Sequence, residues 1–472
     1  MYTQHSFTRI LRGAMTMALM LFVVAGLAYG QTYTNTGTFT NTGTFTVTNL
    51  DNTSGTVNNS SGTIKVKGSI TNPTATNFDT ETGTVEYSGS GAQTVISSVK
   101  NATYGNLTGS GGTTKTLNGN IVVSGAATSN GASTNIDIST NSLSLTGASP
   151  VVVVSSGTFT FTGGTVDYAR DGVQDLYATS YKNLTTSGAT SPAAKTVNAG
   201  GTLTVASGTL TNQSNTTLDF STFAFDGSGA TFANSGTLKS SGTVTIGAGI
   251  AVNGTFDYAS GSAQDVAAAE YVNLTLSGAG AKTFASGVTT SVSGTYTAGS
   301  SRSYTGSTFR YNGTTQSIVA DSYNNLVMVG GASDVKTAAG GVSTAGTFTN
   351  TTGITDMSSF ALSITGAKTN TGTMRFGGAS NGVIFADGTV EYNGAAQDIT
   401  GDGSLTYATL VLSGSGTKSV LTGAAATVHT TSGLTVNSSI GLDIASGGFL
   451  TVDGNLTNNG SVTNAGTVQV GP

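Results

Sequence analysis

The chain contains no cysteine and no tryptophan, four prolines among 472 residues, and only 8% charged side chains. Each shortage excludes something. Without cysteine, no disulfide holds the fold, and thiolate metal sites and nucleophiles are ruled out. Without tryptophan, a true immunoglobulin domain lacks its buried indole. There are two histidines, His5 and His429, so histidine metal clusters and multi-histidine catalysis are excluded. An ordinary soluble domain is about 25% charged. Here 17 basic residues face 22 acidic ones with no basic patch, which argues against nucleic acid as a partner. No Walker loop, dinucleotide fingerprint or G-G-x-G-x-D series occurs, so no cofactor is expected and the glycines read as corner residues.

What is present is strand material. Hydrophobic residues make up 37% of the chain, too many for a disordered tract. Much of that is Val, Ile, Leu and Phe alternating with Thr and Ser, a period of two rich in β-branched side chains. No helical period stands out after Gly30. The stretch before that point reads as a signal peptide. Arg9 and Arg12 form a basic flank, an apolar run follows from Ala14 to Ala28, and Ala28-Tyr29-Gly30 places small residues at a cleavage position before Gln31. The alternative is an uncleaved anchor, but the run is short for a span of about 20 residues. Cleavage leaves 15 basic residues against 22 acidic ones and no later membrane span.

From Gln31 a short-period tract begins, with GTF units at Gly37 and Gly43 and GTV and GTI units at Gly55 and Gly62. The C-terminus repeats the pattern at Gly454, Gly460 and Gly466. A strand of three or four residues and a corner use about six residues, which suits coils of a β-solenoid. Between these tracts a longer unit recurs five times, GTVxY…Q…YxNL…KTL. Its first tyrosines are Tyr87, Tyr168, Tyr258, Tyr311 and Tyr392, and its glutamines Gln93, Gln174, Gln264, Gln316 and Gln397. Its second tyrosines are Tyr104, Tyr181, Tyr271, Tyr323 and Tyr407, and its lysines Lys115, Lys195, Lys282, Lys336 and Lys418. The steps between successive first tyrosines are unequal, and the one from Tyr258 to Tyr311 is much the shortest. A closed sandwich cannot lose a third of its length, whereas a solenoid can drop a coil. Coils of roughly 20 to 30 residues fit, with the step from Tyr87 to Tyr168 read as three of them.

These units resemble repeats of large secreted bacterial surface proteins, and the N-x-G-T-F/V tracts are similar to coils of filamentous-haemagglutinin and autotransporter-passenger β-helices. The resemblance runs over nearly all of Gln31 to Pro472. It implies a right-handed parallel β-helix and a surface or adhesive role. The outer-membrane barrel and the sorting domain of such proteins are not found.

The expected fold is therefore all-β, a right-handed parallel β-helix, with tandem β-sandwich domains as the alternative. Its parts are a signal peptide over 1–30, short-period coils over 31–82, five long repeats over 83–447 and short-period coils over 448–472. Val85, Leu107, Val166, Leu184, Leu274, Leu326, Val390 and Leu410 should point inward, and Gly and Asn should take corners that need positive φ. The repeat residues read as structural. The tyrosines pack over a coil corner with the hydroxyl at the solvent edge. The glutamine amides cap corner donors and carbonyls. The lysines lie along the outer wall.

For an enzyme, the best grouping is Arg170, Asp171 and Asp175. Asp175, Asp265 and Asp398 each follow a motif glutamine, but three coils of separation is roughly 14 Å, against about 5 to 9.5 Å for glycosidase carboxylates. No catalytic or metal site is expected. The function expected is an exported structural or adhesive cell-surface protein: a stalk, adhesin or filament subunit, secreted or on the outer surface. Its partners would be further copies stacked end to end, surface glycans or other surface proteins. The alternative is a carbohydrate-active enzyme or sugar-binding module.

Overall fold

The computed structural model describes residues 31–149, 151–299, 301–378, 383–403, 405–421 and 427–471. The leader expected over 1–30 lies outside the described residues. Most coils are built from three short strands, and in a few a single strand runs through a corner, as in Gln174–Thr186. The first coil holds Thr32–Thr34 (β1), Thr38–Thr40 (β2) and Thr44–Val47 (β3). The next holds Asn49–Asp51 (β4), Thr56–Asn58 (β5) and Thr63–Val66 (β6). Strand β1 pairs with β4, β2 with β5 and β3 with β6, all parallel. The same rule runs to the last strand, Thr467–Val470, which pairs in parallel with Phe449–Val452. The result is a β-solenoid of about 21 turns with three walls. Strands make up 53% of it and helix 1%. Tandem sandwiches are overturned, because their sheets are antiparallel and every described pairing here is parallel.

The composition explains the cross-section. A wall of three or four residues offers one or two inward positions, and the sequence fills them with Val, Ile, Leu, Phe or Tyr. The eight apolar positions named above are all inward, at 0 to 1% exposure. Each buried aliphatic side chain contributes about 1.5 to 3 kcal/mol relative to exposure. Stacking repeats that gain at every coil without a long-range contact. At the first coil the inward residues are Tyr33, Phe39 and Phe45, whose rings lie 4.7 to 5.6 Å apart. In the last described coil they are Leu456, Val462 and Val468, stacked on Leu434, Leu442 and Leu450. Among the described residues no helix is long and apolar enough to cross a membrane.

Corners need close approach between coils. At Gly208 an added Cβ would lie 1.6 Å from the Lys182 carbonyl oxygen of the coil below. Asparagine plays a different part from the one expected. Among the described asparagines only Asn101 and Asn215 have positive φ. The corner asparagines instead form buried side-chain ladders. Asn35 Nδ2 donates to Asn52 Oδ1 at 2.8 Å, and Asn52 Nδ2 to Asn72 Oδ1 at 2.9 Å. Similar pairs join Asn41 to Asn59, Asn212 to Asn234 and Asn350 to Asn370. An amide carries donors and an acceptor, so it can bond upward, downward and to the corner backbone together.

The long repeat is not a whole number of coils, and the reading of the step from Tyr87 to Tyr168 as three coils is corrected. Tyr168 stacks on Leu145, which stacks on Val123, which stacks on Tyr104. It therefore continues the column of the previous unit's second tyrosine, not that of Tyr87. Tyr311 likewise stacks on Val292, which stacks on Tyr271. The coil itself varies in length: Thr32 pairs with Asn49, a short step along the chain, and Ser129 with Val154, a longer one. Coils of such different lengths let the motif start on a different wall from one repeat to the next. The walls can exchange roles because all three are parallel ladders with the same inward chemistry.

Candidate functional site

Each long repeat contains two backbone corners on which the motif residues converge; they interrupt the strand ladder except at Tyr177, where the second corner is a register shift within the strand Gln174–Thr186. The first corner follows the first tyrosine. Its central residue is Gly89, Arg170, Ser260, Gly313 or Gly394. The peptide N–H of that residue donates to the motif glutamine Oε1, at 2.7 Å for Gly89, 3.2 Å for Ser260, 2.6 Å for Gly313 and 2.7 Å for Gly394. Arg170 makes the long version, at 3.5 Å. The carbonyl of the same residue accepts from the motif lysine of the coil above: Lys115 at 2.7 Å, Lys282 at 2.8 Å, Lys336 at 2.6 Å, Lys418 at 2.6 Å, and Lys195 on Arg170. The glutamine Nε2 donates to two carbonyls of the coil below, Val66 and Gly68 in the case of Gln93. Gln93 and Lys115 are direct ladder neighbours, as are the other four pairs. The two side chains thus fasten three successive coils at one corner.

The second corner follows the glutamine strand. Its central residue is Ile96, Tyr177, Ala267, Val319 or Thr400. The N–H of that residue donates to the hydroxyl of the first tyrosine, at 3.0 to 3.2 Å. The hydroxyl of the second tyrosine donates to the carbonyl of the same residue. The two hydroxyls lie 2.7 to 3.0 Å apart. A hydroxyl has one hydrogen. The second tyrosine gives its hydrogen to the carbonyl, so the first must donate to the second. Each corner peptide therefore closes a ring of three hydrogen bonds through two phenols.

Two expectations are corrected here. The tyrosine hydroxyls are not at the solvent edge. All ten tyrosines are buried at 0 to 3% exposure, because the phenol is the group that reaches the second corner from inside. The lysines do not lie on the outer wall. They are 0 to 2% exposed, because their ammonium groups serve the first corner. None of the five forms an ion pair among the described residues. Burial pushes all five lysine pKa values down, Lys195 to about 8, and the nearby carboxylates of Asp167, Asp257 and Asp334 offset it only in part at Lys195, Lys282 and Lys336. Burial pushes up the tyrosines of the first four units and Tyr407, with Tyr87 and Tyr168 reaching about 12.

A further pairing escaped the sequence reading. The acid before the first tyrosine binds the serine that follows the next coil's strand. Ser110 Oγ donates to Glu86 at 2.6 Å, Ser187 to Asp167 at 2.7 Å, Ser277 to Asp257 at 2.7 Å and Ser413 to Glu391 at 2.5 Å. In the fourth unit Arg310 replaces the acid and Val329 replaces the serine. Acid and serine change together within one chain, and that signal was available without a structure. A sixth tyrosine pair was also missed. The hydroxyls of Tyr296 and Tyr304 are 2.7 Å apart, and Tyr304 donates to Asp321 Oδ2 at 2.9 Å, which also receives Arg302 Nε.

Among the described residues no hydrogen bond or ion pair joins Arg170, Asp171 and Asp175 to one another; the Asp175 N–H donates to Ser149 Oγ at 2.6 Å. The Arg170 backbone serves the first corner. Asp171 accepts from the Thr190 N–H at 3.0 Å and its hydroxyl at 2.8 Å, bonds that hold its pKa below the usual carboxylate range. His429 Nε2 lies 2.8 Å from Asp453 Oδ2 on an outer face. Among the described residues no three His, Cys, Asp or Glu side chains come together as a metal site. Comparison with protein-family models, with curated proteins and with solved structures found no match.

Two measurements check these corners. Tyr87→Phe leaves the Ile96 N–H without its acceptor and should cost about 1 to 3 kcal/mol. Tyr104→Phe should cost a similar amount, and the double variant clearly less than the sum, because both break one ring. Additive losses in urea unfolding would show that the hydroxyls act independently. The second measurement is stability against pH. The lysine pKa values are lower in the folded chain than the unfolded value of about 10.4. The unfolded chain then binds more protons between those values, and stability rises with pH through that window, from about 8 for Lys195. The raised tyrosines act oppositely. Their folded pKa values lie above the unfolded value of about 10, so the folded chain keeps protons that the unfolded chain loses, and stability falls above that pH. The urea midpoint should therefore climb above pH 8, peak between about 9 and 10, and then drop. A profile flat from pH 7 to 11 contradicts both burials.

Proposed function

We propose that the chain is exported and serves as a rod-like structural or adhesive protein at the cell surface. The observation that carries this reading is where the repeat residues go. Twenty side chains that recur through five units are all buried and bound to corner backbone, so the repeat is a device for building a rod. Its outer walls are left to vary. The basic flank and apolar run before Gln31 support export. A chain without cysteine that fixes its corners with side-chain hydrogen bonds does not depend on an oxidising or a reducing compartment. The low charge and abundant Thr and Ser give long neutral walls, suited to spacing and contact more than to catalysis.

About 21 coils at about 4.8 Å give a rod of roughly 100 Å. The test uses the full chain in its own host. An antibody against the purified protein should label intact cells, mild protease should remove the label, and the recovered chain should begin near Gln31. Negative-stain images should show rods of that length. Label found only after lysis, with the N-terminus intact, would contradict the reading.

A further inference from the structure

We propose that the last coil of one molecule docks on the first coil of a second copy, so that the rods join head to tail into filaments. This rests on the export reading for one thing, removal of the leader from in front of Gln31. The first coil, 32–47, and the last described coil, 455–470, can be laid on each other without a gap. Asn35 then falls on Asn458 and Asn41 on Asn464, and a glycine stands two residues beyond each. The inward residues Tyr33, Phe39 and Phe45 fall on Leu456, Val462 and Val468. The interior coil 231–246 has the same length and plan, and it is paired on both faces. Among the described residues the two end coils are each paired on one face alone. An unpaired strand edge invites a further strand, and proteins guard such edges with charge or proline. Neither end coil contains a charged residue or a proline. Val462 and Val470 are 40% and 53% exposed on the open face of the last coil.

The asparagine ladders identify the occupant, because they have a direction. The Nδ2 of the earlier coil donates to the Oδ1 of the later one, from Asn35 to Asn52, Asn41 to Asn59, Asn212 to Asn234 and Asn350 to Asn370. At Asn234 the Oδ1 takes two bonds, the Gly236 N–H at 3.1 Å and Asn212 Nδ2 at 2.8 Å. In the first coil Asn35 Oδ1 holds one of these, from the Gly37 N–H at 3.3 Å, and among the described residues no earlier coil supplies the other. In the last coil Asn458 and Asn464 hold Gly460 and Gly466 in the same way, at 3.1 and 3.0 Å. Their Nδ2 groups have no acceptor among the described residues. The last coil therefore offers ladder donors, and the first coil offers ladder acceptors at the matching corners. The stacking this requires already occurs inside the chain, where one strand pair sets Leu210 under Phe232 and Asn212 under Asn234. Leu456 under Tyr33 and Asn458 under Asn35 repeat it. The sense is fixed, since two first coils would meet acceptor to acceptor and two last coils donor to donor. With the matching faces at opposite ends of a rod, the contact is heterologous and builds open filaments in place of rings.

The test follows the purified chain from Gln31 onward, at rising concentration, by sedimentation velocity and negative-stain imaging. Rods should lengthen in steps of roughly 100 Å and keep one width. The double variant Asn458→Asp, Asn464→Asp keeps both glycine bonds but sets carboxylate oxygens where the ladder donors were. It should weaken assembly by about tenfold or more. Val462→Lys puts a charge on the exposed edge and should do the same. Asn459→Asp, exposed in the same coil beside the ladder, should assemble like the parent. Circular dichroism shows that each variant keeps its strands. A parent that stays a single rod at its highest soluble concentration overturns the proposal, as do rods that associate only side by side. So does assembly of both the ladder and the edge variants like the parent, or an equal loss in Asn459→Asp. Assembly of the purified chain does not depend on where cells place it, so failure here leaves the surface reading standing.

Discussion

The constraint on which this molecule depends is the satisfaction of backbone polar groups where the chain turns. Inside a wall, each strand bonds to the coil above and below. At a corner that ladder breaks, and a buried N–H or carbonyl left there costs about 1 to 3 kcal/mol. A solenoid of about 21 turns meets that problem at every coil. Some corners are held by asparagine ladders such as Asn35 to Asn52 to Asn72. Each long repeat has two corners that asparagine does not serve, and the motif supplies a solution for each. Glutamine and lysine hold the peptide at Gly89, and two tyrosines hold the peptide at Ile96. The same four side chains do the same work at the other four repeats.

The fold was legible because it rests on local rules. Alternation, GTF and GTV spacing and unequal repeat lengths all follow from coils that touch only their neighbours. The inward set, from Val85 to Leu410, could be named for the same reason. The tyrosines and lysines were harder to place. Sequence reading assigns a phenol or an ammonium to the surface because burying either without a partner is costly. The partners here are backbone atoms of corners, which no residue letter announces. The tie between Glu86 and Ser110 was hidden differently. Its two members are distant along the chain, and the register places Ser110 two residues past Thr108, the residue stacked on Glu86. The clue was the joint change at Arg310 and Val329. The change of wall between repeats was out of reach, because it needs the true coil length and not an average.

Low charge and absent cysteine follow from this design. Hydrogen bonds from neutral side chains fix the corners, and the one cation in the motif is held by carbonyls. The outer surface is then free of structural duty except for cross-coil pairs such as Lys65 with Glu86 and Arg375 with Glu391. Such exposed pairs contribute little, about 0 to 1 kcal/mol each. A wall under so few demands can acquire a local feature without disturbing the stack, and the extra pair of Tyr296 and Tyr304 that ends on Asp321 is one.

The central claim is that side chains, not water, satisfy the corner peptides. Native-state amide hydrogen exchange measures this directly at Gly89, Ser260, Gly313 and Gly394 and at Ile96, Ala267, Val319 and Thr400. None of these N–H groups bonds within the strand ladder; each bonds to a glutamine or a tyrosine. The account predicts slow exchange at all eight, comparable with neighbouring ladder amides such as that of Leu107. Exchange at the rate of open surface turns would mean that water reaches the corners and that the motif does not hold them.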